Sequence, residues 1–127
     1  MTERKRWFVL QAGEIDDWAV GFSGRLKDGE LLTGTPKVTV HVKGGTEAQY
    51  AKVTVSNVGR NAASIEEKNQ NGAVIATHAI DEAVELRVTA ANDAAAGQYT
   101  LRAECGTTLG RNLVEPVEID LRGPPET

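Results

Sequence analysis

Apolar and polar residues alternate with a period of two along most of this chain. Val38, Val40 and Val42 share one face of an extended segment, and Thr39, His41 and Lys43 share the other. The same rhythm returns in Val84, Leu86 and Val88 against Glu85, Arg87 and Thr89. Tyr99, Leu101, Ala103 and Cys105 form an apolar row against Thr100, Arg102 and Glu104, and Val117, Ile119 and Leu121 oppose Glu118, Asp120 and Arg122. Side chains alternate across a pleated strand, so each run predicts a half-buried antiparallel strand. A slip of one residue would turn every apolar side chain to water, so the register is firmly specified.

Trp18, Val20 and Phe22 extend the pattern, and the segment from Asp16 to Gly24 reads as a strand that anchors the core with large side chains. Ile75 to Ile80 reads as a strand buried on both faces or nearly so. Ala62 to Lys68 fits either a strand or a short helix with Glu66 and Glu67 outside, and strand is the preferred reading. Pro116 has no N–H to donate, which places the start of the last strand at an edge or a bulge.

Turn signals separate these runs at short intervals. Lys27-Asp28-Gly29, Lys43-Gly44-Gly45-Thr46 and Asn69-Gln70-Asn71-Gly72 all carry glycine where a tight turn needs positive φ. A further loop runs from Asn92-Asp93 to Gly97, and Cys105-Gly106-Thr107-Thr108 leads into the last. This spacing predicts an all-β fold, a single Ig-like antiparallel β-sandwich of about seven to nine strands. Two phrases echo each other: Gln49-Tyr50 runs to Gly59-Arg60-Asn61, and Gln98-Tyr99 runs to Gly110-Arg111-Asn112. They read equally well as a duplicated hairpin or as coincidence.

At 127 residues the chain suits one domain with its own core. The expected organisation is a sandwich over 1–127, with a flexible arm at 1–6 and a loose tail at 123–127. The formal net charge of -4 makes free nucleic acid an unsuitable partner, because phosphate binding needs clustered Lys and Arg. The basic run Arg4-Lys5-Arg6 reads as a solvated tail or as an arm that docks on a neighbouring subunit. One cysteine, Cys105, allows no intrachain disulfide and fits assembly in a reducing cytoplasm. No stretch is apolar enough to span a bilayer, and the apolar run ending at Leu10 is too short for the core of a signal peptide.

Candidate chemistry is sparse. Glu14, Asp16 and Asp17 lack the further oxygen ligands that calcium needs. Glu115, Glu118 and Asp120 are expected to face water rather than to act as an acid and base pair. His41 and His78 do not make a zinc site, and His78 is expected at the core edge with one hydrogen bond. Cys105 is in phase with buried positions and is expected to be inert. There is no Gly-x-Ser-x-Gly, P-loop or dinucleotide fingerprint and no paired nucleophile and base, so neither a catalytic residue nor a cofactor or metal ligand is assigned. Arg60 and Arg111 follow glycines at expected loop tips, where a planar guanidinium can anchor an interface.

The segment Gln11-Ala12-Gly13-Glu14-Ile15-Asp16-Asp17-Trp18-Ala19-Val20-Gly21-Phe22, followed by Leu26 and Leu31-Leu32, resembles the opening of small tailed-phage virion proteins. Gly97-Gln98-Tyr99 through Thr107-Thr108-Leu109-Gly110-Arg111 looks like the ending of the same family, the phage fibre-tail adaptor type of small Ig-like sandwiches. The resemblance covers both ends and not the middle. The family's Gly-Gly before Gly-x-Tyr is replaced here by Asn92-Asp93-Ala94-Ala95-Ala96, and 51–80 has no counterpart.

The resemblance implies a non-enzymatic structural protein of a bacteriophage virion, made in the host bacterial cytoplasm. It would join other virion proteins at the neck or tail through loop tips and strand edges, in a symmetric multi-copy assembly without nucleic acid or membrane. The expected contacts are Arg4, Lys5, Arg6, Trp7, Phe8, Arg60 and Arg111. A capsid decoration protein clamping coat subunits is the near alternative. A glycan-binding module is a weaker one, because Trp18, Phe22 and Tyr99 belong to the expected core.

Overall fold

In a computed structural model, residues 6–42, 51–69 and 71–123 are described. They form nine strands: β1 (Arg6–Gln11), β2 (Ile15–Gly21), β3 (Leu32–Val42), β4 (Val53–Arg60), β5 (Ile65–Lys68), β6 (Val74–His78), β7 (Ala83–Ala90), β8 (Gly97–Thr107) and β9 (Asn112–Arg122), with one 3-10 turn at Ser23–Arg25. One sheet has the order β1-β9-β8-β3, a second β2-β7-β4, and β5-β6 is a separate hairpin. This is the predicted β-sandwich. It is not wholly antiparallel, because β1 runs parallel to β9, with Phe8 opposite Ile119 and Leu10 opposite Leu121.

The period-two faces fall where alternation puts them. Tyr99, Leu101, Ala103 and Cys105 from β8 and Val117, Ile119 and Leu121 from β9 are buried against Val84, Leu86 and Val88 of β7. Trp18 and Val20 point inward from β2, and Phe22 just beyond it is also buried. Phe8 stacks on Trp18 with ring centroids 4.4 Å apart, which ties β1 of one sheet to β2 of the other. Burying side chains such as Leu101 and Ile119 contributes about 1.5–3 kcal/mol each through the hydrophobic effect.

Several expectations need correction. β1 already begins at Arg6, inside the segment expected as an arm, and residues 1–5 lie outside the described residues. β6 is not a buried strand: Val74, Ile75 and Thr77 are exposed, and Ile80 lies beyond its end. Its only strand partner among the described residues is β5. Ala62 to Lys68 contributes a strand, β5, but only from Ile65. The turn at Lys27-Asp28-Gly29 exists, with the Glu30 N–H bonded to the Lys27 carbonyl, yet it links strands of different sheets rather than a hairpin. Pro116 lies inside β9 opposite Arg102, and β1 joins only from Val117, so the missing N–H falls where β9 is still a local edge. Glu115 is in phase with Val117, not with Glu118 and Asp120; it is largely buried and pairs with Arg25.

The echoed phrases are not structural copies. Gly110-Arg111 closes the β8-β9 hairpin, whereas Arg60 ends β4 in register with Val84, and Asn61 behind it is buried. Gln49, Tyr50, the turn at Lys43 to Thr46, Gln70 and the tail from Pro124 lie outside the described residues.

Candidate functional site

Three segments meet at one end of the sandwich: 27–34, 78–83 and 107–111. The β8-β9 connection is a three-residue loop in which the Thr107 N–H bonds to the Arg111 carbonyl at 2.9 Å. Gly110 takes φ +77, the left-handed conformation this loop type requires at its last position. Behind the loop, the Glu30 side chain is fully buried and bound by Arg111 through two nitrogens, Nε to Oε2 at 2.9 Å and Nη2 to Oε1. The Thr107 hydroxyl donates to Glu30 Oε2 at 2.5 Å, and the Lys27 N–H donates to Oε1 at 2.9 Å. Arg111 also donates to the Arg25 carbonyl at 2.8 Å. The guanidinium bonds, helped by Thr107 and Lys27, outweigh the opposing effect of burial and bring the Glu30 carboxyl down to about 2.

The neighbouring segment is held in the same way. Arg60 donates to the Gly34 carbonyl and to Asp81 Oδ1, both at 2.8 Å, and Asp81 sits at φ +62. Asn61 spends its whole side chain on backbone. Nδ2 donates to the Ala63 and Ala79 carbonyls at 3.0 and 2.7 Å, while Oδ1 accepts from the Glu82 and Ala83 N–H groups at 3.2 and 3.0 Å. The Leu32 N–H bonds to the Asp81 carbonyl at 2.8 Å, and the Thr108 N–H to the Leu31 carbonyl at 2.9 Å. The three segments are thereby laced into one rigid end. On it Leu31, Ile80 and Leu109 stay 39%, 53% and 57% exposed.

A second polar cluster lies where the β5-β6 hairpin meets the end of β2. Ser23 Oγ is 2.5 Å from His78 Nδ1, and His78 Nε2 is 2.8 Å from Glu67 Oε1. The Gly21 N–H donates to the same Glu67 oxygen at 2.9 Å. His78 and Glu67 are buried, while Ser23 is half-exposed. His78 therefore makes two hydrogen bonds, not one. The Ser23 hydroxyl and the His78 imidazole, 55 residues apart in the chain, are brought together here.

A groove of about 700 Å3 lies over the outward side of β2 and β7, walled by the hairpin. Asp17, Glu85, Arg87, Asn57, Glu66 and Lys68 are among its lining residues, and Asp17 and Arg87, opposite each other in the β2-β7 register, pair at 2.8 Å. That pairing lowers the Asp17 carboxyl below its ordinary value.

Of the expected contact residues, Arg4 and Lys5 lie outside the described residues. Arg6 and Trp7 are placed in β1, in register with Val117 and Glu118. Phe8 is buried against Trp18. Arg60 and Arg111 do not project from loop tips but clamp backbone and carboxylates behind the end surface. The exposed leucines beside them were missed, because isolated exposed apolar residues look like core positions in a sequence. His41 is exposed on β3. Cys105 is buried, donates to the Thr33 carbonyl and has its thiol pushed up by burial, as expected for an inert cysteine. Among the described residues no group of three His, Cys, Asp or Glu side chains is placed to hold a metal ion. Among the described residues no helix is long and apolar enough to cross a membrane.

No protein-family model and no curated protein matches the sequence. Among solved structures, the chain is similar to a family 123 glycoside hydrolase from Clostridium perfringens, described in a study of glycolipid glycan hydrolysis. Identity is 7% and the TM-score 0.49, and the match covers 100% of this chain and 24% of that one. The chain thus spans about a quarter of the length of the hydrolase it matches.

Proposed function

We propose that this chain is a structural subunit of a bacteriophage virion, joining neighbouring virion proteins at the neck or tail through the end of the sandwich that carries Leu31, Ile80 and Leu109. The observation that carries this reading is the way those side chains are presented. Each stands on backbone held by an ion pair behind it, the buried Glu30 with Arg111 on one side and the half-buried Asp81 with Arg60 on the other. A surface already ordered before contact loses little conformational entropy on binding, so more of the apolar burial survives as affinity. The phrase that resembles the fibre-tail adaptor family, Gly97 through Arg111, ends in this same hairpin. Arg60 and Arg111 then serve the contact from behind, by holding its shape.

The test is photocrosslinking from position 109 in purified virions that carry the protein. Crosslinks to a tail or neck protein support the reading, and crosslinks to the coat protein alone replace it with capsid decoration. A Leu31→Asp/Leu109→Asp variant should fold normally and fail to enter particles. Incorporation of that variant at wild-type copy number, or absence of the protein from purified particles, overturns the assignment of this surface.

A further inference from the structure

We propose that Ser23 is an activated nucleophile, and that Ser23, His78 and Glu67 together hydrolyse carboxylic esters. The fold assembles the three from separate elements: Ser23 opens the 3-10 turn after β2, Glu67 lies on β5 and His78 ends β6. Space for the imidazole exists only because residue 21 is glycine, since a Cβ there would lie 1.9 Å from His78 Nε2. The Gly21 N–H and Nε2 both meet Glu67 Oε1. A carboxylate oxygen only accepts, so Nε2 carries the hydrogen. In the neutral ring Nδ1 then accepts from the Ser23 hydroxyl at 2.5 Å. That is the relay a serine nucleophile needs: a base on the hydroxyl, oriented through its other nitrogen by a buried carboxylate. The ring is turned the opposite way from the common triad, but the proton logic requires only one donating and one accepting nitrogen.

Ser23 Oγ attacks the ester carbonyl carbon as its proton passes to His78 Nδ1. The carbon–oxygen bond to the alcohol breaks, and Nδ1 returns the proton to the leaving oxygen. Water then attacks the acyl-serine, giving one proton to Nδ1, and the carboxylic acid leaves as Ser23 Oγ takes that proton back. Ester and water become acid and alcohol with no other reactant. Ser23 is half-exposed beside the exposed Gly24, and it does not line the groove over β2 and β7.

Two other serines, Ser56 and Ser64, are exposed and provide internal controls. The full chain is incubated with a fluorophosphonate. The serine oxygen displaces fluoride from phosphorus, and the adduct is located by peptide mass spectrometry. Labelling at Ser23 should run at least about 100-fold faster than at Ser56 or Ser64, the lower range for a positioned general base. Ser23→Ala should abolish both the adduct and the hydrolysis of p-nitrophenyl acetate above that of a denatured control. His78→Gln should slow labelling to the rate of the other serines. The comparison of Ser23 with Ser56 and Ser64 is made within the native chain, so it does not depend on either variant being stable. If the cluster is only a pin for the hairpin, Ser23 labels no faster than Ser56 and Ser64, and the proposal is overturned.

Discussion

Replacing Gly21 by alanine tests the packing of the His78 cluster directly. The added Cβ would stand 1.9 Å from His78 Nε2, 2.0 Å from Cε1 and 2.5 Å from Glu67 Oε1. To reach ordinary contact at 3.4 Å the ring must retreat by about 1.5 Å. The bonds to Glu67 at 2.8 Å and to Ser23 at 2.5 Å cannot both survive such a shift. A hydrogen bond to a charged group contributes about 1.5–3 kcal/mol, a neutral one about 1 kcal/mol, and of the groups left behind His78 and Glu67 are buried. Alanine recovers about 0.5 kcal/mol by reducing the freedom of the unfolded chain. The expected net loss is therefore about 3 kcal/mol, or roughly 10 °C in melting temperature for a domain of this size. Urea denaturation of Gly21→Ala, His78→Ala and the double variant separates the terms. In the His78→Ala background the two closest contacts are gone and the Glu67 oxygen sits at the end of a flexible side chain, so the cost should fall below about 1 kcal/mol. The reasoning fails if Gly21→Ala costs the same with and without His78, or costs less than about 1 kcal/mol in the native background.

Two further outcomes follow from the end of the sandwich. Asn61→Asp should destabilise the fold at neutral pH by at least as much as Asn61→Ala, about 3 kcal/mol, because the second carboxylate oxygen would face the Ala63 and Ala79 carbonyls with no proton to offer; urea midpoints that place Asp clearly above Ala would contradict this. The Glu30 carboxyl is held at about 2 in the folded chain against an ordinary 4.5, chiefly by Arg111, so it favours folding above pH 4.5 and loses that contribution as pH falls from 4.5 through 2. Glu30→Gln should thus be less stable than the native chain at pH 6, with the gap in urea midpoint closing progressively by pH 2; a gap that stays constant would show that the carboxylate charge is not what the clamp uses.

Some of this was legible in the chain and some was not. Alternation in Val84 to Val88, Tyr99 to Cys105 and Val117 to Leu121 placed three strands and their inward faces correctly, because a side chain's face depends only on its own strand. Asn69 to Gly72 and Thr107 to Arg111 announced their hairpins through local backbone chemistry. The burial of the β6 segment was misread: Ile75 and Ile80 look like core residues, yet they stay exposed. Glu30 gave no signal at all. It follows Gly29 in a polar turn, and its partners Thr107 and Arg111 lie about eighty residues away.

By itself the sequence determined that the chain folds as stacked sheets, which runs become strands, and which side chains face inward, since those are set by periodicity and turn residues over a few neighbours. Tertiary structure alone decided that β1 joins β9 in parallel, that Arg60 and Arg111 clamp from behind instead of projecting, and that Ser23, His78 and Glu67 meet. Those outcomes depend on contacts between distant segments in one low-dielectric interior. There a buried charge or hydroxyl must find a partner wherever the fold brings one, and no local pattern encodes that.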